Sequence, residues 1–524
     1  MNLLGKYLKG ALCAGLIMAS AFAVNAQDSA INGANGEQES QTLVKKRLTF
    51  TLDEVIDLAR EQSQAALVAK HTFTVKYWQY RSYKAQFLPS LNLDASLGQF
   101  NRSLKALQDA ETGRTNYIEN NSMSNSLNLS IDQNIPFTGG SVSVITSLSR
   151  LDQFSPYDEV TYNSQPVNVY YSQPITAFNT LKWEKKIAPK EFELAKKTYL
   201  ETMESITISA TSYFFNLLLA QGTLDMAKRS YENNKTLYEI SQERFKLGTI
   251  GKNELLQLEL SVLNDELKVS NAELSLMMAM TRLRTFIGFN ESVDIDLKVP
   301  TIPDNLLLDY DLVLNKSFAN STFGLENQIS KLNAQKSVAQ AKAQNGLQMS
   351  LFARFGLNQV GEDIAKAYKS PTDQEVFGLS LSLPIVDWGL GKGKVKVAKS
   401  QQEVTESQII QKEQERREEV MLQVLQFNLQ SAQCEVSAKA DNVGKLRYES
   451  ARERFLNGTI TATDLNVAQN EMDNATAQYL SSLQNYWNYY YTIRQMTLYD
   501  FIGNKPLDAD FDKLTGENVS RYDK

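Results

Sequence analysis

Histidine is almost absent from this 524-residue chain: His71 is the only one, and the two cysteines are Cys13 and Cys434. So little imidazole and thiol removes the nucleophile–base pairs of hydrolases and the His/Cys clusters of zinc sites, so no enzyme, cofactor or metal centre is expected. Cys13 falls in the leader described below, which leaves Cys434 alone and no intrachain disulfide available. Basic charge is not in excess either. The formal net charge is −6, with 54 Lys and Arg against 60 Asp and Glu; nucleic-acid binders present basic faces, so no such partner is expected. Removal of Lys6 and Lys9 with the leader makes the mature balance −6 − 2 = −8. Proline is missing from residues 190–247, where Gly222 is the only glycine. That stretch would extend about 87 Å if fully helical.

What is present begins with a leader. Residues 1–26 carry Lys6 and Lys9, an apolar run over residues 11–24, and Val24-Asn25-Ala26 before Gln27. These are the three parts of a secretory signal, with an apolar run too short to span a membrane. Residues 27–47 are polar and rich in Gly, Ser and Gln, and are expected to be disordered in the mature chain.

A stretch that occurs twice organises the rest. Residues 238–255 read YEISQERFKLGTIGKNEL and residues 448–465 read YESARERFLNGTITATDL, at a constant offset of 210. Self-similarity at that spacing marks a duplicated unit of about 200 residues rather than a short-period solenoid. In each copy a long helical run carries Arg244-Phe245 or Arg454-Phe455 in its last turn. It stops at Gly248 or Gly458, the residue type that accepts left-handed geometry. Thr249 or Thr459 then precedes a new helical run, so each copy reads as the tip of a helical hairpin.

Each half also contains alternating segments. Leu91, Leu93, Ala95 and Leu97 lie on one face, and the same period of two recurs at Leu127, Leu129 and Ile131, at Val142, Val144 and Leu148, and at Val167, Val169 and Tyr171. In the second half, Leu347, Met349, Leu351, Ala353 and Phe355 alternate, as do residues 376–383. Runs of about ten residues, apolar on one face, are the signature of membrane β-strands, with a soluble sandwich as the alternative. Export and duplication favour the barrel. One copy supplies too few strands to close it, so other subunits must complete the wall. The boundaries read as a first repeat at 48–288 with strands in 91–175, a connector at 289–309, a second repeat at 310–503 with strands in 347–384, and a C-terminal tail at 504–524.

With these motifs in order, the chain resembles the TolC family of outer-membrane efflux proteins, in the form found in Bacteroides-type bacteria. The resemblance rests on Thr51-Leu52-Asp53-Glu54-Val55, on Leu88-Pro89-Ser90-Leu91, and on the Pro-Phe-Thr-Gly-Gly segment at 136–140. It rests also on the strand-to-helix passages Ser172-Gln173-Pro174-Ile175 and Ser382-Leu383-Pro384-Ile385, and on the twin tips. It implies a membrane β-barrel joined to a long α-helical coiled-coil barrel, built from a duplicated helix–strand–strand–helix repeat and completed as a homotrimer. It places the protein in the outer membrane, in contact with its lipid and extending into the periplasm. There it would be the passive exit duct of a tripartite efflux or type I secretion system, served by a periplasmic adaptor and an inner-membrane pump. A structural periplasmic coiled coil without a pore is the rival reading.

The resemblance makes Arg244, Phe245, Gly248, Thr249, Arg454, Phe455, Gly458 and Thr459 candidates for adaptor docking. It makes Asp464 and its counterpart Glu254 candidates for the pore constriction. Both acids read equally well as first-turn carboxylates complementing a helix dipole. Ile460 stands where the best-known member has an arginine and Val467 where it has a second acid, so an arginine latch is not expected. Met277, Met278 and Met280, and the Tyr486–Tyr491 cluster, are expected to serve helix packing. The runs beside Gly139-Gly140 are expected as loop-associated extensions, leaving four strands per chain and twelve in a trimer.

Overall fold

The computed structural model describes residues 46–516 except 109–112, 290–292 and 304–305. The leader, nearly all of the 27–47 segment and residues 517–524 of the tail therefore lie outside the described residues. Helix α1 (Leu52–Gln62) starts where Thr51 and Glu54 form a reciprocal cap: the Thr51 N–H donates to Glu54 Oε2 at 2.8 Å and the Glu54 N–H to Thr51 Oγ1 at 3.4 Å. The helical pattern that runs on to Phe87 is divided at Ser63. Its N–H closes α1 on the Ala59 carbonyl, and its Oγ accepts the Ala66 N–H to open α2 (Gln64–Ala85).

Six antiparallel strands follow in one sheet of order β2-β3-β4-β5-β7-β8. They are β2 (Ser90–Gln108), β3 (Thr115–Ile135), β4 (Gly140–Ser155), β5 (Glu159–Pro174), β7 (Gln348–Gly361) and β8 (Thr372–Ser382). Pairing puts like residues side by side across the sheet: Leu91 opposes Ile131, Ile131 opposes Val144, Val144 opposes Val169, and Val169 opposes Phe355. Leu91, Ile131, Val144 and Phe355 from that row are exposed, a face suited to lipid and not to water. A coiled coil without a barrel has no place for such a sheet. Four strands per chain is corrected to six. The runs flanking Gly139-Gly140 are not loop extensions but β3 and β4, hydrogen-bonded from Ile135–Gly140 to Asn121–Ser155. Both run far beyond a turn's length, and unpaired backbone there would have no partner.

The lengths of the elements show where the extra strands sit. Helices α3 (Thr180–Lys246) and α8 (Leu390–Leu456) are both 67 residues, and α4 (Lys252–Ile287) and α9 (Ala462–Thr497) are both 36. Helices α1 and α5 (Tyr310–Asn320) are both 11. From α1 to α5 the starts, Leu52 and Tyr310, differ by 258; from α3 to α8 the starts, Thr180 and Leu390, differ by 210. At an offset of 210, β4 and β5 fall on β7 and β8. The surplus of 48 residues is therefore the hairpin β2–β3, inserted between α2 and β4.

Midway along the long helices, apolar residues from α1 to α5, α8 and α9 form one core around Phe214, Leu217, Leu283, Val420, Phe427, Tyr486, Tyr490 and Ile493. The Tyr486–Tyr491 cluster thus serves packing, with Phe427 and Tyr486 rings 5.0 Å apart. Of the three methionines, Met280 is buried and Met277 and Met278 are exposed. The segment expected as a plain connector holds β6 (Val293–Leu297), which pairs in parallel with β1 (Lys46–Phe50) and covers this core. Five-residue strands gain their stability from this burial, not from a pattern of their own. The 504–516 tail is likewise structured: α10 (Phe511–Thr515) sets the Phe511 ring 5.0 Å from Phe73.

Below the core, α4, α3, α9 and α8 lie side by side in that order, so α4 and α8 are the outer helices. Near the sheet, α2 packs on α3, and α6 (Thr322–Gln344) packs on both α3 and α8, while α7 (Ile364–Ala367) is a single turn between β7 and β8. At 67 residues each, α3 and α8 run about 100 Å.

Candidate functional site

The two tips are built the same way from the same residues. Helix α3 ends at Lys246, Leu247 is still right-handed, and Gly248 turns over at φ 72°. The Gly248 N–H donates to the Phe245 carbonyl at 2.9 Å, and the Thr249 N–H and hydroxyl both donate to the Arg244 carbonyl at 3.0 and 2.9 Å. At the second tip Gly458 again has φ 72°, and the equivalent bonds from Gly458, the Thr459 N–H and the Thr459 hydroxyl are all 2.9 Å. These bonds satisfy carbonyls that a helix end leaves bare. Thr249 and Thr459 therefore close the helix behind them, where the sequence pattern had them opening the helix ahead.

The tips differ in how the return helix starts. Before α9, Thr461 and Asp464 form a reciprocal cap: the Thr461 hydroxyl donates to Asp464 Oδ2 at 2.7 Å, the Thr461 N–H does so at 3.1 Å, and the Asp464 N–H returns to Thr461 Oγ1 at 3.2 Å. Those bonds, the hydroxyl first, hold the Asp464 carboxyl below the ordinary aspartate range. Before α4 the cap position is Gly251, which has no side chain to offer Glu254. The two acids thus share a place in the repeat but not a bonding state.

The phenylalanines are not equivalent either. Phe455 is 7% exposed, packed with Leu237, Leu258 and Leu465, while Phe245 is 40% exposed. The structure therefore brings Phe455 into the seam between the two hairpins and leaves Phe245 outside. Two hydrogen bonds cross that seam: Asn233 Nδ2 donates to the Tyr448 hydroxyl at 2.6 Å, and Gln257 Nε2 to Thr463 Oγ1 at 3.4 Å. Burial pushes the Tyr448 phenol up. Arg454, Gly458 and Thr459 are exposed with Gly248 and Thr249, and Arg244 is half-buried. Leu247 and Leu456 join them as exposed apolar residues the sequence reading passed over. Their signal was an apolar residue placed in the two positions before a helix-ending glycine.

Removing the second cap should make the tips alike. Thr461→Ala is expected to cost the first turn of α9 about 1 kcal/mol, read as faster amide exchange near Asp464 with no change in α4. The depressed carboxyl fixes the pH sense: the cap is intact above the unfolded aspartate value and fades as pH falls through the lower folded one. Protection of that turn that ignores both the substitution and acid would show that something else holds it.

Three other charged groups converge away from the tips. Glu204 of α3, 2% exposed, pairs with Arg60 of α1 and, at 2.8 Å, with Arg494 of α9. The sequence offered no clear signal for this, since Glu204 sits in Glu-Thr-Met-Glu-Ser-Ile, three residues after another acid, Glu201. The one thiol among the described residues, Cys434, is buried in the helical core and pushed up to about 11, which makes it inert at neutral pH. Among the described residues there is no cluster of His, Cys, Asp and Glu able to hold a metal, and no helix long and apolar enough to cross a membrane.

A family model for outer membrane efflux proteins matches residues 139–289 and 326–498, most of both repeats. The chain belongs to that family. It is an outer-membrane protein reaching into the periplasm, in a family of transport channels rather than enzymes. Solved family structures share the fold. The CmeC channel of Campylobacter jejuni is 18% identical with a TM-score of 0.61, over 90% of this chain and 89% of that one. VceC of Vibrio cholerae is 13% identical with a TM-score of 0.60, over 87% and 97%. The open-state MtrE channel of Neisseria gonorrhoeae is 16% identical with a TM-score of 0.56, over 85% and 88%. Among curated proteins none matches. The matched region starts at β4, so the inserted β2–β3 hairpin falls outside it.

Proposed function

We propose that three copies of the chain close into a single duct, through which substrates handed over by an inner-membrane pump and a periplasmic adaptor leave the cell. The observation that carries this is that the sheet and the helical layer are each left with two open edges. In the sheet, β2 and β8 each lack a neighbour on one side among the described residues. An unpaired edge is not tolerated in lipid, and six strands are too few to close on themselves. In the helices, α4 exposes Leu256, Leu260, Leu263, Leu267 and Leu274, and α8 exposes Leu422, Leu425, Leu429, Val436, Val443 and Leu446. Both stripes step by threes, fours and sevens, the spacing of coiled-coil seams. The α8 edge of one copy fits the α4 edge of the next, and β8 fits β2. Six strands per chain give eighteen in three copies, enough for an aqueous lumen.

The twin tips lie at the periplasmic end and form the docking surface for the adaptor, through Arg244, Phe245, Gly248 and Thr249 together with Arg454, Gly458 and Thr459. Phe455 acts indirectly, by holding the hairpins together. Asp464 and Glu254 supply the acidic ring of the constriction, Glu254 being the more mobile of the two for want of a cap. Ile460 packs in the seam between the hairpins, so the closed state rests on packing and on Tyr448–Asn233, not on an arginine.

Native mass spectrometry of detergent-solubilised protein should give a trimer. Leu263→Glu combined with Leu429→Glu places a charge in each stripe and should yield monomers. A monodisperse wild-type monomer that still conducts ions in a bilayer would overturn the shared duct.

A further inference from the structure

Where β8 gives way to α8, the chain makes a rigid loop that exposes what loops normally hide. Trp388 is 96% exposed and Ile385 90%, with Leu383, Val386 and Leu390 exposed beside them. The loop is not slack. Asp387 Oδ1 accepts the Gly389 N–H at 2.9 Å, Oδ2 accepts the Gly391 N–H at 2.7 Å, and the Asp387 carbonyl accepts the Leu390 N–H at 3.0 Å. These backbone bonds depress the Asp387 carboxyl. Trp388 itself has φ 53°, a left-handed conformation that a bulky residue adopts only when its surroundings impose it. An indole held in strained backbone and aimed away from the protein is a feature that folding alone does not require.

Directly after it come Lys392, Lys394, Lys396 and Lys399, all exposed, with no acid until Glu403. Cations in the first turns oppose the helix dipole, so helix stability does not account for them. The arrangement is repeated in part. At an offset of 210, Ile385 corresponds to exposed Ile175, Trp388 to half-buried Phe178, and Lys392 and Lys396 to exposed Lys182 and Lys186, with Glu184 between these two lysines. At that first passage Lys186 also lies 5.1 Å over the Trp183 ring. Both places lie at the same level, where lipid-facing strands end and helices begin.

We propose that these two passages form a collar that grips the periplasmic leaflet of the outer membrane, apolar and aromatic residues entering the acyl boundary and lysines pairing with the phosphates of anionic phospholipid. The inference rests on the outer-membrane location of the family and not on efflux. Aromatic residues at the headgroup level with lysines on the aqueous side are what an interface selects. Each lysine near a negatively charged surface adds attraction, so four together discriminate strongly between anionic and zwitterionic lipid.

The test uses the full-length protein in detergent, without pump or adaptor, offered phosphatidylglycerol and phosphatidylcholine and read by native mass spectrometry for retained lipid. The wild type should prefer phosphatidylglycerol by at least about tenfold, and K392Q/K394Q/K396Q/K399Q should reduce that preference to about threefold or less. In nanodiscs of brominated phosphatidylglycerol, Trp388→Gly should remove a large share of the quenched tryptophan fluorescence while leaving thermal stability unchanged or higher, since glycine accepts the left-handed turn. An unaltered lipid preference in the quadruple variant overturns the proposal. So does a change in ion selectivity of the reconstituted channel with lipid preference intact, which would place the lysines in the lumen. Dissociation of the oligomer by Trp388→Gly in lipid-free detergent would make the loop a contact between copies and overturn it equally.

Discussion

Gly458→Val is expected to leave the protein at normal abundance in the outer membrane and to abolish its efflux. Gly458 holds φ 72°, yet a Cβ built there would meet nothing within 4 Å. The substitution therefore introduces backbone strain without a clash, about 1–2 kcal/mol. A β-branched residue relieves it by leaving the left-handed region, which undoes the bonds from Gly458 and Thr459 to the carbonyls of Phe455 and Arg454. That loss is confined to one tip of a pair of 67-residue helices, so assembly should survive while the docking surface changes shape. Gly458→Asn, which tolerates the same φ, should retain transport, and Gly248→Val should repeat the loss at the first tip. The measurements are outer-membrane abundance, oligomer on native gels, cross-linking to the proposed adaptor and intracellular accumulation of a panel of exported compounds. Full transport by Gly458→Val would show that the tip does not dock; loss of the oligomer would show that the tip is a folding element instead.

Glu204→Ala should act in the opposite way, through stability. Glu204 is the only carboxylate paired with both Arg60 and Arg494, and its removal leaves two largely buried guanidiniums facing one another. Breaking a buried pair from one side costs about 3–5 kcal/mol. Arg494 retains Asp500 at 4.0 Å, while Arg60 keeps only its bond to Thr207 at 2.9 Å. The unfolding temperature in detergent should fall by many degrees. Replacing all three charges together, R60L/E204L/R494L, should recover most of it, because no charge is then stranded. A Glu204→Ala protein as heat-stable as the wild type would mean that water reaches the cluster and solvates the arginines.

The parts of this molecule that could be read beforehand are those governed by local chemistry. Gly-Thr after a long helical run has one economical geometry, and both tips adopt it; Thr51 with Glu54 forms the cap that its place before a helical run implies. What resisted reading depended on partners far along the chain. Residues 46–50 and 293–297 form a strand pair only because each covers the same core. Nothing in residues 511–515 announces that Phe511 will pack against Phe73. The strand number was obscured because alternation marks a strand without saying whether it joins a sheet. Position in the repeat likewise hid the difference between Phe245 and Phe455, since an identical triplet meets a hairpin on one side and open space on the other.

The inserted hairpin carries a topological consequence. A half that crossed a membrane once more than the other would deliver its long helix to the opposite side, whereas one that crosses twice more delivers it to the same side. Because β2 and β3 come as a pair, α3 emerges on the same side of the membrane as α8, and the helices beyond are unaware of the insertion. Parity thus uncouples two circumferences. In the proposed assembly the number of strands around the membrane pore could grow by even increments per copy while the number of helices around the periplasmic tube stayed fixed, so the two bores would be independently adjustable within one architecture.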